Sequence, residues 1–229
     1  MATYNGAQYL PAQLSSILSQ LKEEDELIIS DDGSTDGTLS ILRAIDQENV
    51  TVYENHFKDP VRNFQFALKR TAKPIICFSD QDDIWLAGKR SVMVKHLAGE
   101  TARLLVMNGE IIDENGKLSG GTTFEKWRTH QGFWNNLLRN TFMGSSMAFT
   151  ADLKKWIVPF PANIAMHDWW IGLMAEKAGH VQWTDETTIQ YRIHGNNTSL
   201  KGSSAAQKLK WRIQMYQSVR QRLHKMNHS

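Results

Sequence analysis

The stretch that decides the fold of this 229-residue chain is residues 27–38, Leu27-Ile28-Ile29-Ser30-Asp31-Asp32-Gly33-Ser34-Thr35-Asp36-Gly37-Thr38. Its apolar start predicts a short buried strand, and the acids and glycines after Ser30 predict a loop at the carboxyl end of that strand. Before it, residues 7–21 carry leucine and isoleucine at helical spacing, and after it Asp36 is placed to cap a helix that reaches Ile45. A buried strand between two helices is the repeating unit of an α/β fold.

The same alternation of strands and helices continues to residue 97. A strand at 50–53, a helix at 60–70, a buried strand at 74–78 and a helix at 86–97 are predicted in turn. This order predicts an α/β fold with a mostly parallel sheet and helices on both faces. Ligands bind such sheets at the carboxyl ends of the strands, which is where the acidic clusters of this sequence fall.

The second half of the chain has a less regular pattern. We expect strands at 104–112, 145–149, 181–183 and 187–193, and helices at 131–139, 167–178 and 205–226. The polar residues 195–204, which join the last strand to the last helix, are predicted to form a mobile lid that closes over a bound ligand.

The composition excludes several classes of protein. Charged residues make up 22% of the chain and hydrophobic residues 41%, as in soluble globular proteins. Cys77 is the single cysteine, which excludes an internal disulfide and a zinc site of four thiolates. No apolar run approaches the ~20 residues that span a bilayer, and the first residues do not have the pattern of a signal peptide. The sequence therefore predicts a cytoplasmic protein.

The carboxyl-terminal part of the chain is strongly basic. Eight Lys or Arg residues and no Asp or Glu follow Glu186, which predicts an anionic partner such as a lipid surface or a nucleic acid. Apolar residues recur within 205–226 at spacings of three and four, at Leu209, Ile213, Tyr216, Val219 and Leu223. Such a helix either lies on an anionic membrane surface or packs on the rest of the protein with its charges in water.

Two acidic clusters carry the chemistry. Asp80-Gln81-Asp82-Asp83 places three carboxylates in four residues, an arrangement that favours a bound cation such as Mn²⁺ or Mg²⁺. A carboxylate of Asp31-Asp32 can accept a hydrogen bond from the N3–H of uracil or thymine. The alternatives are a solvated acidic turn for the first cluster and a tight turn for the second.

Five motifs in order give the chain a family resemblance: Ala2-Thr3-Tyr4-Asn5-Gly6, Asp31–Thr38, Ser79–Trp85, His167-Asp168-Trp169-Trp170, and Tyr191-Arg192-Ile193-His194-Gly195-Asn196-Asn197-Thr198-Ser199. Together they resemble the family 2 glycosyltransferases of the GT-A fold. Within that family the chain is most similar to the bacterial rhamnosyltransferase-like and hexosyltransferase-like enzymes of O-antigen and capsule assembly. The resemblance covers residues 1 to about 200.

The resemblance implies roles for the residues that bind the donor, a nucleotide sugar. Thr3 and Asp32 would line the nucleobase pocket, and Arg62 would lie against the base or the phosphates. Asp80 would contact the ribose and the metal, with Arg192 near the diphosphate. Metal ligation would fall to Asp82 and His194.

The resemblance also implies residues for catalysis and for the acceptor. Asp168 occupies the position of the catalytic base, and partial burial beside indoles would raise the pKa of its carboxyl. Ser145 and Ser146 match a segment that borders the acceptor pocket. Either Trp169 or Trp170 would stack on a sugar, although both are equally consistent with core positions.

Three departures from the family pattern are visible. The family has several β-branched residues before the Ala2–Gly6 motif, so we expect a short first strand here. The base motif of the family often has glutamate where this chain has His167. The segment 55–62 lacks a glycine that the family often has, which weakens the assignment of Arg62.

The implied activity is an inverting transfer of a sugar from a UDP- or dTDP-sugar to a hydroxyl of a growing, lipid-linked bacterial surface polysaccharide. We expect a catalytic domain over 1–200, with a nucleotide-binding half at 1–100 and an acceptor-binding half at 101–200. Residues 201–229 would hold the protein peripherally on the inner face of the plasma membrane, so the anionic partner would be lipid and not nucleic acid.

Two other functions remain open from the sequence. A sugar-1-phosphate nucleotidyltransferase would need a glycine-rich loop with Arg or Lys after the first strand, and Tyr4-Asn5-Gly6-Ala7-Gln8 does not supply one. A non-catalytic or N-terminally truncated module that only binds nucleotide sugars is the second alternative, because the first strand is short.

Overall fold

The computed structural model describes residues 1–195, 197 and 203–228. Most of the predicted lid at 195–204 lies outside these residues. The strands are β1 (Ala2–Thr3), β2 (Leu27–Asp31), β3 (Val50–Glu54), β4 (Ile75–Cys77), β5 (Ile84–Trp85), β6 (Arg103–Ile112), β7 (Leu118–Thr122), β8 (Met147–Thr150) and β9 (His180–Arg192). The helices are α1 (Leu10–Leu18), α2 (Thr38–Arg43), α3 (Pro60–Arg70), α4 (Lys89–Leu97), α5 (Thr123–Trp127), α6 (Phe133–Leu138), α7 (Lys154–Ile157), α8 (His167–Ala178) and α9 (Ala205–Asn227).

The strands form two sheets that meet at β1. One sheet has the order β1-β2-β3 and is parallel throughout. The other has the order β4-β8-β6-β9-β5, with β7 paired to β6. The backbone N–H of Ala2 donates to the carbonyl of Ser79 at 3.4 Å, which joins β1 to the segment that follows β4. The acidic loops after β2 and β4 are therefore neighbours in space.

The α/β class is confirmed, but the prediction of a mostly parallel sheet needs a correction. In the second sheet β6 and β9 are parallel, whereas β4–β8, β8–β6, β6–β7 and β5–β9 are antiparallel. Parallel strands need a long crossover, and the regular strand–helix alternation that supplies one ends at residue 97. After β6 the chain instead reverses in a tight turn, where the N–H of Asp113 donates to the carbonyl of Lys117 at 2.9 Å.

Helices cover both faces of the sheet, as predicted. Leu104 and Val106 of β6 contribute to one hydrophobic core, and Leu105 and Met107 contribute to the other. Successive side chains of a strand point to opposite faces, so the four-residue apolar run in β6 is buried on both sides. The first core includes residues of α3, α6, α8 and α9, and the second includes residues of α1 and α4.

Local chemistry explains which element boundaries were predictable. Helix α3 begins at Pro60, and the Asp59 side chain caps it by accepting from Val61 N at 2.8 Å and from Arg62 N at 3.2 Å. Its bounds and those of α8 agree with the prediction. The two short strands predicted at 181–183 and 187–193 are one strand, β9, with register shifts opposite Asn108. The short elements β5, β7, α5 and α7 were not predicted.

Helix α9 packs against the rest of the chain through part of its apolar stripe. Met215 and Val219 are buried in the first core, and the Arg222 guanidinium donates to the carbonyls of Trp156 at 2.7 Å and Val158 at 3.2 Å. In the described part of the chain, no helix is both long enough and apolar enough to cross a bilayer.

Candidate functional site

Asp31 shapes the loop at the end of β2. Its Oδ2 accepts from the hydroxyls of Thr3 at 2.7 Å and Ser34 at 2.6 Å, and its Oδ1 accepts from the backbone N–H of Gly33 at 3.1 Å and of Ser34 at 2.8 Å. The carboxylate is fully buried. Asp31 therefore holds β1 and the Gly33 turn together.

Asp32 ties this loop to the start of α3. Its carboxylate accepts from the backbone N–H groups of Phe57, of Lys58 at 3.0 Å and of Asp59 at 2.9 Å, and its own N–H donates to the carbonyl of Thr3 at 2.9 Å. These bonds occupy most of the acceptor capacity of the carboxylate, which leaves room for one further donor. Thr3 and Asp32 are thus neighbours across β1 and β2, and their contact with a base stays a prediction.

His56 lies over the Gly33 turn, a position that the sequence did not indicate. Gly33 has φ +81°, and a Cβ built there would lie 2.3 Å from Nδ1 of His56. Only glycine fits this conformation and this contact. Arg62, in the first turn of α3, has a side chain that is 68% exposed, with its Nε 3.7 Å from Oδ2 of Asp59. Arg62 is therefore at the rim of this region.

The acidic loop after β4 brings together three carboxyl groups, those of Asp80, Asp82 and Asp83, all of them at least partly buried. Burial raises the pKa of Asp80 well above its usual range, and the charges of Asp82, Asp83 and Asp168 raise that pKa further. Burial, together with the charge of Asp82, raises the pKa of Asp83 to about 7. Asp168, the predicted base, therefore lies close enough to Asp80 for the two charges to interact.

The two predicted metal ligands are in contact. Nε2 of His194 lies 2.8 Å from Oδ2 of Asp82, and both side chains are more than four-fifths buried. Asn197 orients the histidine, because its Oδ1 accepts from the His194 backbone N–H at 2.6 Å. The Tyr9 ring packs against the imidazole, with 4.9 Å between ring centroids.

Arg192 donates hydrogen bonds to the loop that carries Asp82. Its backbone N–H donates to Oδ1 of Asp83 at 3.0 Å, its Nε donates to the carbonyl of Asp82 at 2.8 Å, and its Nη1 donates to the carbonyls of Asp113 and Glu114 at 3.2 Å. The side chain is buried, with its guanidinium carbon 4.8 Å from the centroid of the Tyr9 ring. These contacts make Arg192 a positioning residue for Asp82. Its contact with the nucleotide sugar stays a prediction.

Lys89 is a buried cation near the acidic loop, and the sequence did not indicate its burial. Its Nζ donates to the carbonyl of Ser145 at 2.6 Å and lies 4.7 Å from the Trp85 ring centroid. Burial lowers the pKa of Lys89 to about 8, while the negative charges of Asp83 and Asp80 act in the opposite direction. A lysine that begins a helix after glycine has the sequence pattern of an exposed residue, so no local signal predicted this burial.

Four residues predicted to bind the acceptor are interior. Ser145 and Ser146 are buried, as part of the short 3-10 turn before β8. Trp169 and Trp170 are also buried, and their Nε1–H groups donate to the carbonyls of Asn136 at 2.8 Å and Ile157 at 2.9 Å. The burial of both indoles agrees with the alternative that Trp169 and Trp170 are core residues. That Ser145 and Ser146 border the acceptor pocket stays a prediction.

Asp168 lies in the first turn of α8 and remains partly accessible. Burial raises the pKa of its carboxyl to about 7, against the opposing effect of hydrogen bonds from the Trp169 N–H, at 2.6 Å, and from the Asn140 side chain. The neighbouring His167 is buried against Phe64, 4.1 Å between ring centroids, and its burial lowers its pKa to about 3. His167 is therefore neutral at physiological pH and supports the helix start that presents Asp168.

The donor groups present fit a hard divalent cation held together with a diphosphate. Asp82 supplies a carboxylate and His194 an imidazole, a combination that suits Mn²⁺ and Mg²⁺ when phosphate oxygens complete the coordination. Among residues 1–195, 197 and 203–228, no three acidic, His or Cys side chains are arranged as a metal site. Asp82 and His194 alone would thus fill only two coordination positions of the cation, and oxygen atoms of the diphosphate would fill others.

Comparisons with known proteins agree with the resemblance in the sequence. The model of a family described as Glycosyl transferase family 2 matches residues 1–154. The dTDP-rhamnosyl transferase RfbG of Shigella flexneri is 28% identical over 209 residues, which are 86% of this chain and 72% of RfbG. The UDP-Glc:alpha-D-GlcNAc-diphosphoundecaprenol beta-1,3-glucosyltransferase WfgD of Escherichia coli is 28% identical over 145 residues, which are 63% of this chain and 55% of WfgD.

A solved structure confirms the fold. The crystal structure of S. aureus TarS 1-349 in complex with UDP-GlcNAc superposes with a TM-score of 0.69 at 17% sequence identity, over 92% of this chain and 62% of that chain. The GT-A-type architecture predicted from the sequence is therefore shown. This chain spans little more than half of WfgD and less than two thirds of the TarS chain.

Proposed function

The chain belongs to glycosyl transferase family 2, and from that premise we propose that it transfers a sugar from a UDP- or dTDP-sugar to a hydroxyl of a bacterial surface polysaccharide, with inversion. The observation that carries the proposal is the meeting of four groups from both halves of the chain. Asp80 and Asp82 follow β4, His194 follows β9, and Asp168 lies in the first turn of α8. The charges of Asp168 and Asp80 nevertheless interact, and Asp82 contacts His194.

Asp168 has the properties of a general base. The raised pKa, about 7, makes its carboxylate more basic than an ordinary one while a large fraction stays deprotonated at neutral pH. In the proposed step the carboxylate takes the proton of the acceptor hydroxyl as that oxygen bonds to the anomeric carbon. The bond from that carbon to the diphosphate breaks on the opposite face, and the electron pair leaves on the diphosphate oxygen. A single displacement of this kind inverts the anomeric centre.

Other residues of the chain hold the donor for this step. Thr3 and Asp32 would bind the base, Arg62 would reach the base or phosphates from the rim, and Asp80 would face the ribose. Asp82 and His194 would hold Mn²⁺ or Mg²⁺, which when bound neutralises charge on the departing diphosphate. Arg192 keeps the Asp82 loop in place through its contacts with three backbone carbonyls.

The relatives support the proposed substrates. The name of RfbG specifies a dTDP-activated rhamnose and that of WfgD a UDP-activated glucose with a diphosphoundecaprenol-linked acceptor. We propose a donor of one of these two kinds and a lipid-diphosphate-linked acceptor. Such an acceptor lies at a membrane, and the basic helix within 205–226 would then contact the anionic inner face as a peripheral attachment.

A transfer assay with purified protein tests the proposal against the binding-only alternative. Nucleotide release from UDP- and dTDP-sugars is measured with a lipid-diphosphate-linked acceptor, for wild type, Asp168→Asn and the exposed control Asp46→Asn. Titration calorimetry measures donor binding by the same samples. Acceptor-dependent turnover that only Asp168→Asn loses supports transfer. Donor binding without turnover in the wild type would assign the chain to the non-catalytic class.

A further inference from the structure

Large apolar side chains are exposed together on two neighbouring helices. Trp134 and Leu138 of α6 are 60% and 61% exposed, and Leu209 and Ile213 of α9 are 55% and 48% exposed. These four residues, named here the apolar patch, account for most of the strongly exposed large hydrophobic side chains in the described ranges. Exposed apolar residues that are grouped in this way mark an interaction surface.

Contacts between α6 and α9 show that the patch is continuous. The Trp134 ring lies 5.8 Å, centroid to centroid, from the ring of Tyr216. The Arg212 guanidinium Nε donates to the carbonyl of Leu138 at 2.8 Å. Leu209 and Ile213 are one helical turn apart, so they lie on the same side of α9. Trp134 and Leu138 are likewise four positions apart on α6.

Positively charged side chains lie on and beside the helices of the patch, and Glu176, which accepts from the Gly132 N–H at 3.0 Å, lies at the start of α6. Lys177 lies 4.3 Å from the Phe133 ring centroid and 5.8 Å from that of Trp134. Lys208, Lys210 and Arg220 are exposed on α9, and neither α6 nor α9 contains an acidic residue. Tryptophan and leucine bordered by lysine and arginine are the composition of surfaces that lie in the headgroup region of an anionic bilayer.

Only one end of the apolar stripe of α9 is available for this contact. Met215 and Val219 are buried against the catalytic core, and Arg222 is engaged by backbone carbonyls of residues 156 and 158. The most exposed large apolar side chains of the helix are therefore Leu209 and Ile213. Two exposed side chains on one helical turn offer little apolar area for a bilayer. Trp134 and Leu138 of α6 bring the number of exposed large apolar side chains to four.

We propose that α6 and the first half of α9 together form the surface that contacts an anionic lipid bilayer. Trp134 and Leu138 enter the boundary between headgroups and acyl chains beside Leu209 and Ile213, and the surrounding lysines and arginines contact anionic headgroups. This inference rests on the proposed function, because a lipid-linked acceptor requires the enzyme at a membrane. It adds α6, whose role the sequence pattern of the tail did not suggest.

The position of α6 connects this surface to the reaction site. The carbonyl of Asn136 in α6 accepts from Nε1 of Trp169, next to the proposed base. Asn140, two residues beyond Leu138, donates from its side chain to the carboxylate of Asp168. A lipid-diphosphate-linked saccharide anchored under the apolar patch would thus reach Asp168 from the side of the bilayer.

Vesicle co-sedimentation tests the surface directly. Vesicles that contain phosphatidylglycerol are compared with vesicles of phosphatidylcholine, for wild type, for Trp134→Ser with Leu138→Ser, and for Leu118→Ser as a matched control. Leu118, on β7, is 57% exposed and lies outside the patch. We expect wild type and Leu118→Ser to bind the anionic vesicles with equal affinity. The affinity of the α6 double variant should be lower by at least about tenfold.

A variant that lacks two of the lysines and a measurement of oligomeric state test the proposal independently. Lys208→Gln with Lys210→Gln should also weaken binding to anionic vesicles, and more strongly at low salt. Unchanged vesicle binding by the α6 double variant would overturn the proposal, as would equal binding to neutral vesicles. A concentration-dependent dimer that the α6 substitutions abolish would assign the patch to a second copy of the chain and overturn it as well.

Failure of this inference differs from failure of the proposed function. Donor binding measured by calorimetry, and transfer to a water-soluble acceptor, should be equal in wild type and in the α6 double variant, because none of the substituted side chains touches the site. Vesicle binding by a chain that transfers no sugar would contradict the proposed function and support the surface. Transfer to a soluble acceptor without vesicle binding would do the reverse.

Discussion

Nε2 of His194 lies 2.8 Å from Oδ2 of Asp82, although the two residues are 112 positions apart in the chain. The contact joins the loop after β4 to the end of β9. Hydrogen bonds from Arg192 to the carbonyl of Asp82 and to the carboxylate of Asp83 stabilise the same loop. Two such donors side by side, next to the carboxylate of Asp80, form the part of the site where a cation and a diphosphate would meet.

Removal of either predicted metal ligand should weaken the metal-dependent binding of the nucleotide sugar. We expect Asp82→Ala and His194→Ala each to weaken donor binding in the presence of Mn²⁺ by at least about tenfold, because a lost ligand leaves the cation to the diphosphate and water. Titration calorimetry with and without a chelator measures this. The exposed residue His180 provides the control His180→Ala, which should bind as wild type. Full donor affinity in excess chelator would contradict the metal site.

Replacement of the base should affect turnover and spare binding. Asp168→Asn keeps the size of the side chain and its ability to accept from the Trp169 N–H, so the fold and the donor affinity should be unchanged. The transfer rate should fall about 10²–10⁴-fold because general base catalysis is lost. A variant that retained more than roughly a tenth of the wild-type rate would show that another group accepts the proton.

The rate of transfer should rise with pH through about 7. The pKa of Asp168 is raised to about 7, and only its deprotonated form accepts a proton, so the active fraction falls as pH drops below that value. A profile of kcat against pH under saturating donor measures this. The inflection should disappear from the residual activity of Asp168→Asn. A flat profile between pH 5 and pH 8 in the wild type would contradict the assignment.

Lys89 should be essential to the stability of the acidic loop. We expect Lys89→Met to lower the free energy of unfolding by roughly 2–4 kcal/mol, since it leaves the Ser145 carbonyl without its donor and the nearby buried carboxylates without a cation. Denaturant unfolding measures the change. Lys95→Met, in the same helix but with a side chain that is 65% exposed, is the matched control and should change stability by less than about 1 kcal/mol. Equal stability of the two variants would show that Lys89 is dispensable.

Several features of this protein follow from the sequence alone. The alternation of buried strands and helices over the first 97 residues is a local pattern, and it predicted the α/β class, the helices on both faces and the position of the acidic loops at strand ends. The bounds of α3 and α8 were also predicted, because a proline in a first helical turn and a run of residues with helical spacing are signals carried by adjacent residues.

The tertiary structure alone decided which of the candidate residues face the site. Ser145, Ser146, Trp169 and Trp170 are interior, Arg192 binds backbone carbonyls, and Lys89 is a buried cation. A sequence motif specifies the kinds of side chain that are present, but burial depends on which distant elements cover them. Here β8 pairs antiparallel with β6 and β9 pairs antiparallel with β5, and no local period of the sequence encodes this pairing of distant segments. The contact between Asp82 and His194 has the same origin, because it exists only once β5 has paired with β9.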